Sequence, residues 1–324
     1  MEHVFIAIAD HFEPFHKTDR AGGVERMKRW LKEYPESIKP WVNQGGLHPR
    51  HTHFFPIEQY DAEVVSMLRD LCAMTGSETE VHLHHKDDTS ETFRDKMRLG
   101  IEQLRNHDFL GPNGEFCFVH GDWALANCHP EGKHCGVDDE IAILKELGCI
   151  ADLTFPSAPS LTQPKRVNSI HYVAEKPLHE GSDAKVGSTG ERDRLLLIQG
   201  VTVMRWSKRK WGLLPSLENS DLTKANPPTP DRWALWLKHA PRVQGMEKWA
   251  FIKLHSHGAT PWNSDMLLGE PMKKFREFLE RQPQKIHWVT AREMVNLIHA
   301  AENGARDFVP ELLHTGYAPP LTRK

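Results

Sequence analysis

The stretch Glu80-Val81-His82-Leu83-His84-His85-Lys86-Asp87-Asp88 places three histidines and two aspartates at the end of a segment that reads as a buried strand. Successive strand residues point to opposite faces, so His82 and His84 face the same way, separated by a rise of about 7 Å. Two imidazoles so spaced converge on one metal ion only where the strand end twists or a third ligand arrives from elsewhere. A strand interior has little use for imidazole, which packs poorly and must satisfy two ring nitrogens. A pair of hydrogen-bonded core histidines is the plain alternative. The clustering favours a metal, for which imidazole is the commonest ligand.

Working outward, the histidine segment is the third in a series of strands. Residues 4–9 (VFIAIA) are short, apolar and end in Asp10, the pattern of a buried parallel strand. Residues 51–56 form a second strand stopped by Pro56, 116–120 a fourth and 149–155 a fifth. Residues 249–255 and 286–289 supply the last two. Helical patterns alternate with them. Val24, Met27, Trp30 and Leu31 follow Gly22-Gly23 at helical spacing, and Val64, Val65, Leu68 and Leu71 mark the next helix. Thr89-Ser90-Glu91 caps a third, and Gly148 closes one over 138–147. Helices are also predicted over 265–281 and 290–302. Residues 156–230 read as an irregular insertion, with Leu195 to Ile198 its clearest apolar run, and 304–324 as a tail beyond a single domain of residues 1–303.

Strand and helix alternating about seven times predict parallel strands with right-handed crossovers, closed or nearly closed into a barrel. Functional groups in such barrels gather at the carboxyl ends of the strands. Here those ends carry Asp10-His11, His53, His82 and His84, His120 with Asp122, Asp152, and His255 with His257. Scattered core histidines would not choose the same end of each strand.

Composition narrows the function classes. The 324 residues are 39% hydrophobic and 26% charged, with a formal net charge of -3, so no broad attraction to nucleic acid or anionic membrane is expected. The run Lys208-Arg209-Lys210 reads as a solvated loop, and Trp206, Trp211, Trp233 and Trp236 as core or interface residues. No segment approaches the roughly 18 apolar residues of a membrane span. No secretory signal is recognisable, and five cysteines without a C-x-x-C pair suggest reduced thiols, so a cytoplasmic setting is expected. A zinc site from Cys128-His129 and His134-Cys135 matches no common spacing. The 21 histidines suggest metal or proton chemistry, and the 10 tryptophans are compatible with sugar stacking.

Over residues 3–300 the order of these motifs resembles the polysaccharide deacetylase superfamily, a distorted (β/α)7 barrel. The resemblance rests on Ile8-Ala9-Asp10-His11-Phe12-Glu13, on the histidine stretch, and on Leu254-His255-Ser256-His257. It departs from the family where adjacent aspartates become Asp10-His11 and where the H-x-x-x-H motif becomes His82-Leu83-His84-His85, or His84 with Asp88. No clear equivalent of the arginine motif is present, although Arg166 lies in the corresponding region. The resemblance implies a metal-dependent hydrolase that removes an acetyl or similar acyl group from an amino sugar or other carbohydrate, using one divalent ion. Three protein ligands with open positions suit zinc. Asp10, His82 and His84 are the expected ligands, with His11 and Asp88 in reserve; in the alternative assignment Asp10 is the base and His11 a ligand. Glu13 is a further candidate base, and His257 the candidate acid. His120, Asp122, Trp123, Arg166 and His255 are candidate sugar contacts. A glycosidase using Asp10 or Glu13 with Asp122, and a sugar-binding protein without turnover, remain as alternatives. Oligomeric state is not legible.

Overall fold

The structure is a computed structural model that describes residues 1–43 and 46–321. Its first half follows the strand–helix alternation of the sequence: β1 (His3–His11), α1 (Arg20–Ile38), β2 (Thr52–Pro56), α2 (Ala62–Thr75), β3 (Glu78–Leu83), α3 (Ser90–Arg105), β4 (Phe116–His120), α4 (Glu140–Glu146) and β5 (Cys149–Asp152). Local chemistry fixes several of the helix ends. The Asp61 carboxylate accepts from the Glu63 and Val64 amides to start α2, and Thr89 with Thr92 forms a reciprocal cap on α3.

The stretch read as irregular contains β6 (Ile170–Val173), β7 (Ser182–Asp183), β8 (Leu195–Ile198), β9 (Val203–Lys210) and β10 (Leu214–Glu218), then the start of α5 (Pro230–His239). Beyond it lie β11 (Trp249–Ser256), α6 (Pro261–Leu267), α7 (Glu270–Leu279), β12 (Lys285–Trp288) and α8 (Ala291–Glu302). The single helix expected over 265–281 is two, because Gly269 precedes Glu270-Pro271 and proline is accommodated only in the first turn of the new helix. The segment from Gly304 is not loose: Asn296 on α8 donates to the Leu313 and Tyr317 carbonyls, and Leu313 is buried. Residues 322–324 of that tail lie outside the described residues.

Parallel strands run in the order β11-β1-β2-β3-β4-β5-β8, continued by antiparallel β6 and β7. The apolar run Leu195–Ile198 is therefore a strand of the main sheet. β1 is its centre. β11 runs along one edge of β1; along the other, β12 pairs with residues 3–6 and β2 with residues 9–11. Two strands sharing one edge is the distortion of this barrel. No ladder joins β8 to β11 among the described residues. That gap is crossed by Lys253 Nζ donating to Phe155 O at 2.9 Å and by residues 220–222, whose backbone exchanges hydrogen bonds with His255.

The two faces of the sheet bury different partners. Val4, Ile6 and Ile8 of β1 belong to the core shared with α1–α7, as do Val81 and Leu83 of β3 and Phe116 and Phe118 of β4. Phe5, Ala7 and Ala9, with Cys117, Val119 and Phe251, face the second core, built on α8. All of α8 is buried, the condition of a helix enclosed on every side.

Candidate metal centre

Strand parity decides which functional groups meet. His11 continues the row Phe5, Ala7, Ala9 and lies on the α8 side, whereas Asp10 continues Val4, Ile6, Ile8 and lies on the side of the outer helices. The histidines therefore sort into separate groups at the carboxyl end of the sheet.

The first group gathers around Glu13, just beyond β1. Glu13 Oε1 lies 3.4 Å from His82 Nε2, 3.4 Å from His84 Nε2 and 3.9 Å from His257 Nε2, while Oε2 lies 3.1 Å from His16 Nδ1. His11 completes the group, its ring centroid 4.8 Å from that of His82 and 4.9 Å from that of His257. His11, Glu13 and His82 are buried, and one donor atom from each lies within 4.8 Å of the others. His82 and His84, predicted to share a face, bring their rings to 4.5 Å.

The tautomers are set by the neighbours. His82 Nδ1 sits 2.9 Å from the Val119 carbonyl, which can only accept, so the proton is on Nδ1 and the Nε2 lone pair points at Glu13. His84 Nδ1 is likewise 2.7 Å from Glu58 Oε1, the carboxylate–histidine arrangement that orients metal-binding imidazoles. Both ring nitrogens of His11 are buried without a hydrogen-bond partner. Lone pairs aimed at one carboxylate oxygen need a proton or a cation between them, and the donor set of imidazoles with a carboxylate suits a divalent ion. Burial works against charging His84, yet its bonds to Glu13 and Glu58 push it up to about 10. Burial also disfavours ionised Glu13, but hydrogen bonds from His82 and His84 outweigh it and hold the carboxyl well below its usual range. Burial and the neighbouring His82 and His257 hold His11 down, so that it stays neutral. His257 is lowered by burial, with Glu13 and Asp10 opposing.

The second group is Asp10 with His51 and His53. Asp10 Oδ2 lies 2.8 Å from His51 Nε2, and Oδ1 accepts from the Gly258 amide at 2.5 Å. Asp10 was an expected ligand beside His82 and His84, and it is not placed with them: one strand residue separates it from their face. Glu13, two residues beyond His11, takes the position between the histidines. Asp10 instead ties down the turn that carries His257. No side chain fits at Gly258, where a Cβ would collide with the Asp10 carboxylate.

The third group joins β3 to α4. Glu140 accepts from Ala126 N at 2.6 Å, lies 3.2 Å from His85 Nε2 and 3.4 Å from Cys135 Sγ, and is 4.0 Å from His120 Nε2. His120 continues the Phe116–Phe118 row and so faces the outer helices, away from Glu13. Its Nδ1 accepts from the amides of Asp122 and Ala124, which leaves the neutral ring's proton on Nε2. That tautomer leaves the Nε2 proton of His120 buried and without a hydrogen-bond acceptor, Glu140 standing out of reach at 4.0 Å. Asp88, a reserve ligand, is 3.2 Å from His85 Nδ1 and held by Lys96 and Thr92, so it too belongs here.

Of the expected sugar contacts, His255 lies on the Glu13 side, 6.3 Å between ring centroids from His11. Asp122 and Trp123 are half-buried in the turn after β4. Arg166 is bound to Asp183 and to the Gly181 carbonyl, away from the Glu13 group in its contacts. Sequence reading passed over Glu58, His16, His51 and Glu140, and weighed Cys135 only in a zinc site with Cys128, His129 and His134. His51-x-His53 repeats the same-face spacing of His82-x-His84 and was open to detection; the others carry no local signal.

No protein-family model matches the chain, and no curated protein matches it. Among solved structures it is similar to the Xyl-CE4 domain of a multidomain xylanase from the hindgut metagenome of Trinervitermes trinervoides, at 12% identity, with 93% of each chain covered and a TM-score of 0.38.

Proposed function

We propose that the Glu13 group holds one divalent cation, zinc or a similar ion, and that the protein hydrolyses an acyl group from an amino sugar or other carbohydrate. The observation that carries the metal is the pair of Nε2 lone pairs, from His82 and His84, turned on one carboxylate oxygen beside an unpartnered His11. His11, Glu13, His82 and His84 would hold the ion. When bound, it supplies a Lewis acid that polarises the acyl carbonyl and brings a water toward neutral pKa. The acyl and carbohydrate parts of the reading rest on the order of the sequence motifs.

The chain's own residues divide the remaining work. His257, partly exposed beside Glu13 and kept largely neutral by burial, moves the proton between water and leaving group. Asp10 holds the Gly258 amide and so sets where His257 stands. Glu58 holds the His84 ring. Asp122 and Trp123 offer a carboxylate and an aromatic ring at the rim for sugar hydroxyls and ring faces.

Elemental analysis of the purified protein beside His11→Ala and His82→Ala, with acetate release from an acetylated amino-sugar oligomer before and after chelation, tests this. One equivalent of metal, lost in both variants together with acetate release, is the expected result. Metal retained in both variants overturns the ligand set. Reducing sugar released without acetate, insensitive to chelation, points instead to the glycosidase reading.

A further inference from the structure

The β9–β10 hairpin pairs with no other strand among the described residues, and an isolated two-stranded ribbon is marginal in water. Its root is fixed. Arg205 is paired with Asp231 at 2.7 Å, and buried Glu218 is paired with Arg232 at 2.7 Å, both partners lying in α5. Its far end is not covered. Trp211 is 85% and Leu213 77% exposed, and Met204, Trp206 and Leu214 are exposed as well. The turn is built from Trp211 and Gly212, both at left-handed φ. A tryptophan is costly there, which makes a ring presented at the outermost point a feature to explain.

Charge accompanies the exposed rings. No acidic residue occurs between Val203 and Leu217, whereas Lys208, Arg209 and Lys210 follow one another in a chain of net charge -3. Lys208 meets the Ala225 carbonyl, and Arg209 meets the Trp206 carbonyl and lies 5.9 Å from the Trp206 ring centroid; neither forms an ion pair among the described residues. Tryptophan with lysine and arginine on one projecting element is the chemistry that partitions into the headgroup region of an anionic bilayer.

The hairpin also adjoins the Glu13 site. β10 runs into residues 219–222, where the Ser220 carbonyl accepts from His255 N at 3.1 Å and Leu222 N donates to His255 O at 2.7 Å. The root of the hairpin is thus bonded to the strand end that leads to His257.

We propose that the β9–β10 hairpin docks the protein on an anionic lipid surface, inserting Trp206, Trp211 and Leu213 among headgroups that Lys208 and Arg209 attract. Docked in this way, the Glu13 site acts at the bilayer surface, on a saccharide carried by a lipid. That consequence alone rests on the function proposed above.

Co-sedimentation of the full-length protein with phosphatidylcholine vesicles, with and without 30 mol% (~) phosphatidylglycerol, tests the docking. Lys208→Gln/Arg209→Gln and Trp206→Ser/Trp211→Ser are compared, with metal content measured on each protein. Binding to the anionic vesicles, weakened by salt and about thirtyfold weaker in the Lys/Arg pair, is expected. The tryptophan pair should fail to bind, and all variants should keep the wild-type metal content and acetate release from a water-soluble substrate. No binding by wild type, or binding unchanged in both variants, overturns the docking. So does a concentration-dependent dimer abolished by the tryptophan variant, which would make the hairpin an interface between copies. If metal is absent while vesicle binding persists, the functional reading fails and the docking stands.

Discussion

Replacing Asp10 by asparagine separates the geometry from the expectation set by the sequence motif. In the structure both oxygens of Asp10 are occupied, one by the Gly258 amide at 2.5 Å and the other by His51 Nε2 at 2.8 Å. Asparagine can still accept from Gly258, but it then turns an NH2 donor toward His51. One charge-assisted hydrogen bond is lost in a fully buried place, a cost of about 1.5–3 kcal/mol. For a chain of this size that corresponds to a fall in Tm of roughly 2–4 °C. The turn bearing His257 loosens with it, and misplacement of a catalytic group by about 1 Å lowers kcat by up to 100-fold. The metal content should not change, because none of the Glu13 group depends on the Asp10 charge for coordination. Differential scanning calorimetry, elemental analysis and acetate release on Asp10→Asn and Glu13→Gln give the comparison. Asp10→Asn is expected to be destabilised, slow and metal-loaded, and Glu13→Gln depleted of metal. An Asp10→Asn protein that has lost its metal while Glu13→Gln keeps it would refute the assignment and restore Asp10 as the ligand.

Other outcomes follow from single contacts. Glu58→Ala removes the acceptor behind His84 without touching the buried core, and metal affinity measured against a chelating dye should fall about 10–100-fold. Trp262 stands exposed in the first turn of α6, five residues from His257; Trp262→Ala should raise KM for an oligosaccharide several-fold with little change in kcat if it stacks on a sugar ring. His171 is buried in β6 and lowered to about 4, chiefly by burial, with its bond to the Leu178 carbonyl opposing. Its unfolded form titrates near 6.5, so below that pH the unfolded chain takes up a proton that the folded chain refuses. Stability is therefore whole above about pH 6.5 and declines as pH falls toward 4, by about 3 kcal/mol from this residue. Urea midpoints between pH 7 and 4 should fall less steeply for His171→Gln than for wild type; equal slopes would discount the burial effect.

The strands were legible because each is a short apolar run ended by polar residues, and their common direction followed from the intervening helices. What the site needs beyond that is strand parity, and half of it was readable. His82 and His84 share a face in the sequence and in the structure. The same period of two along β1 separates Asp10 from His11, so the alternation already set Asp10 apart; the order of motifs drew it in. Glu58, Glu140 and Cys135 are different in kind. They reach their histidines through loops and helices 26 to 55 residues away from the imidazoles they meet, as with Glu58–His84 and Glu140–His85, and only tertiary packing brings them there. β8 was visible as four apolar residues, but its place beside β5 depends on which edge is free. Trp233 and Trp236 are buried as expected, whereas Trp206 and Trp211 are exposed. The basic run Lys208-Arg209-Lys210, flanked by Trp206 and Trp211, read as a solvated loop because no local pattern distinguishes a hairpin that projects from one that packs.

Histidine count and burial do not distinguish the group around Glu13 from the group around His120; the direction of the imidazole protons does. Backbone amides can only donate, and they turn the His120 Nδ1 into an acceptor, which places the neutral ring's proton on Nε2. A cation there would have to displace a proton that the fold itself requires. At Glu13 the requirement is reversed. A carbonyl and a carboxylate hold the Nδ1 protons of His82 and His84, and the fold leaves two Nε2 lone pairs facing a negative charge. Without a cation, a proton on His84 relieves that repulsion, which is the state reflected in the raised His84. A divalent ion would relieve the same repulsion with more charge and would partner one of the two bare nitrogens of His11. The proposed ligand set thus rests on a site where a metal could replace a proton, whereas the His120 tautomer leaves that ring no Nε2 lone pair to offer.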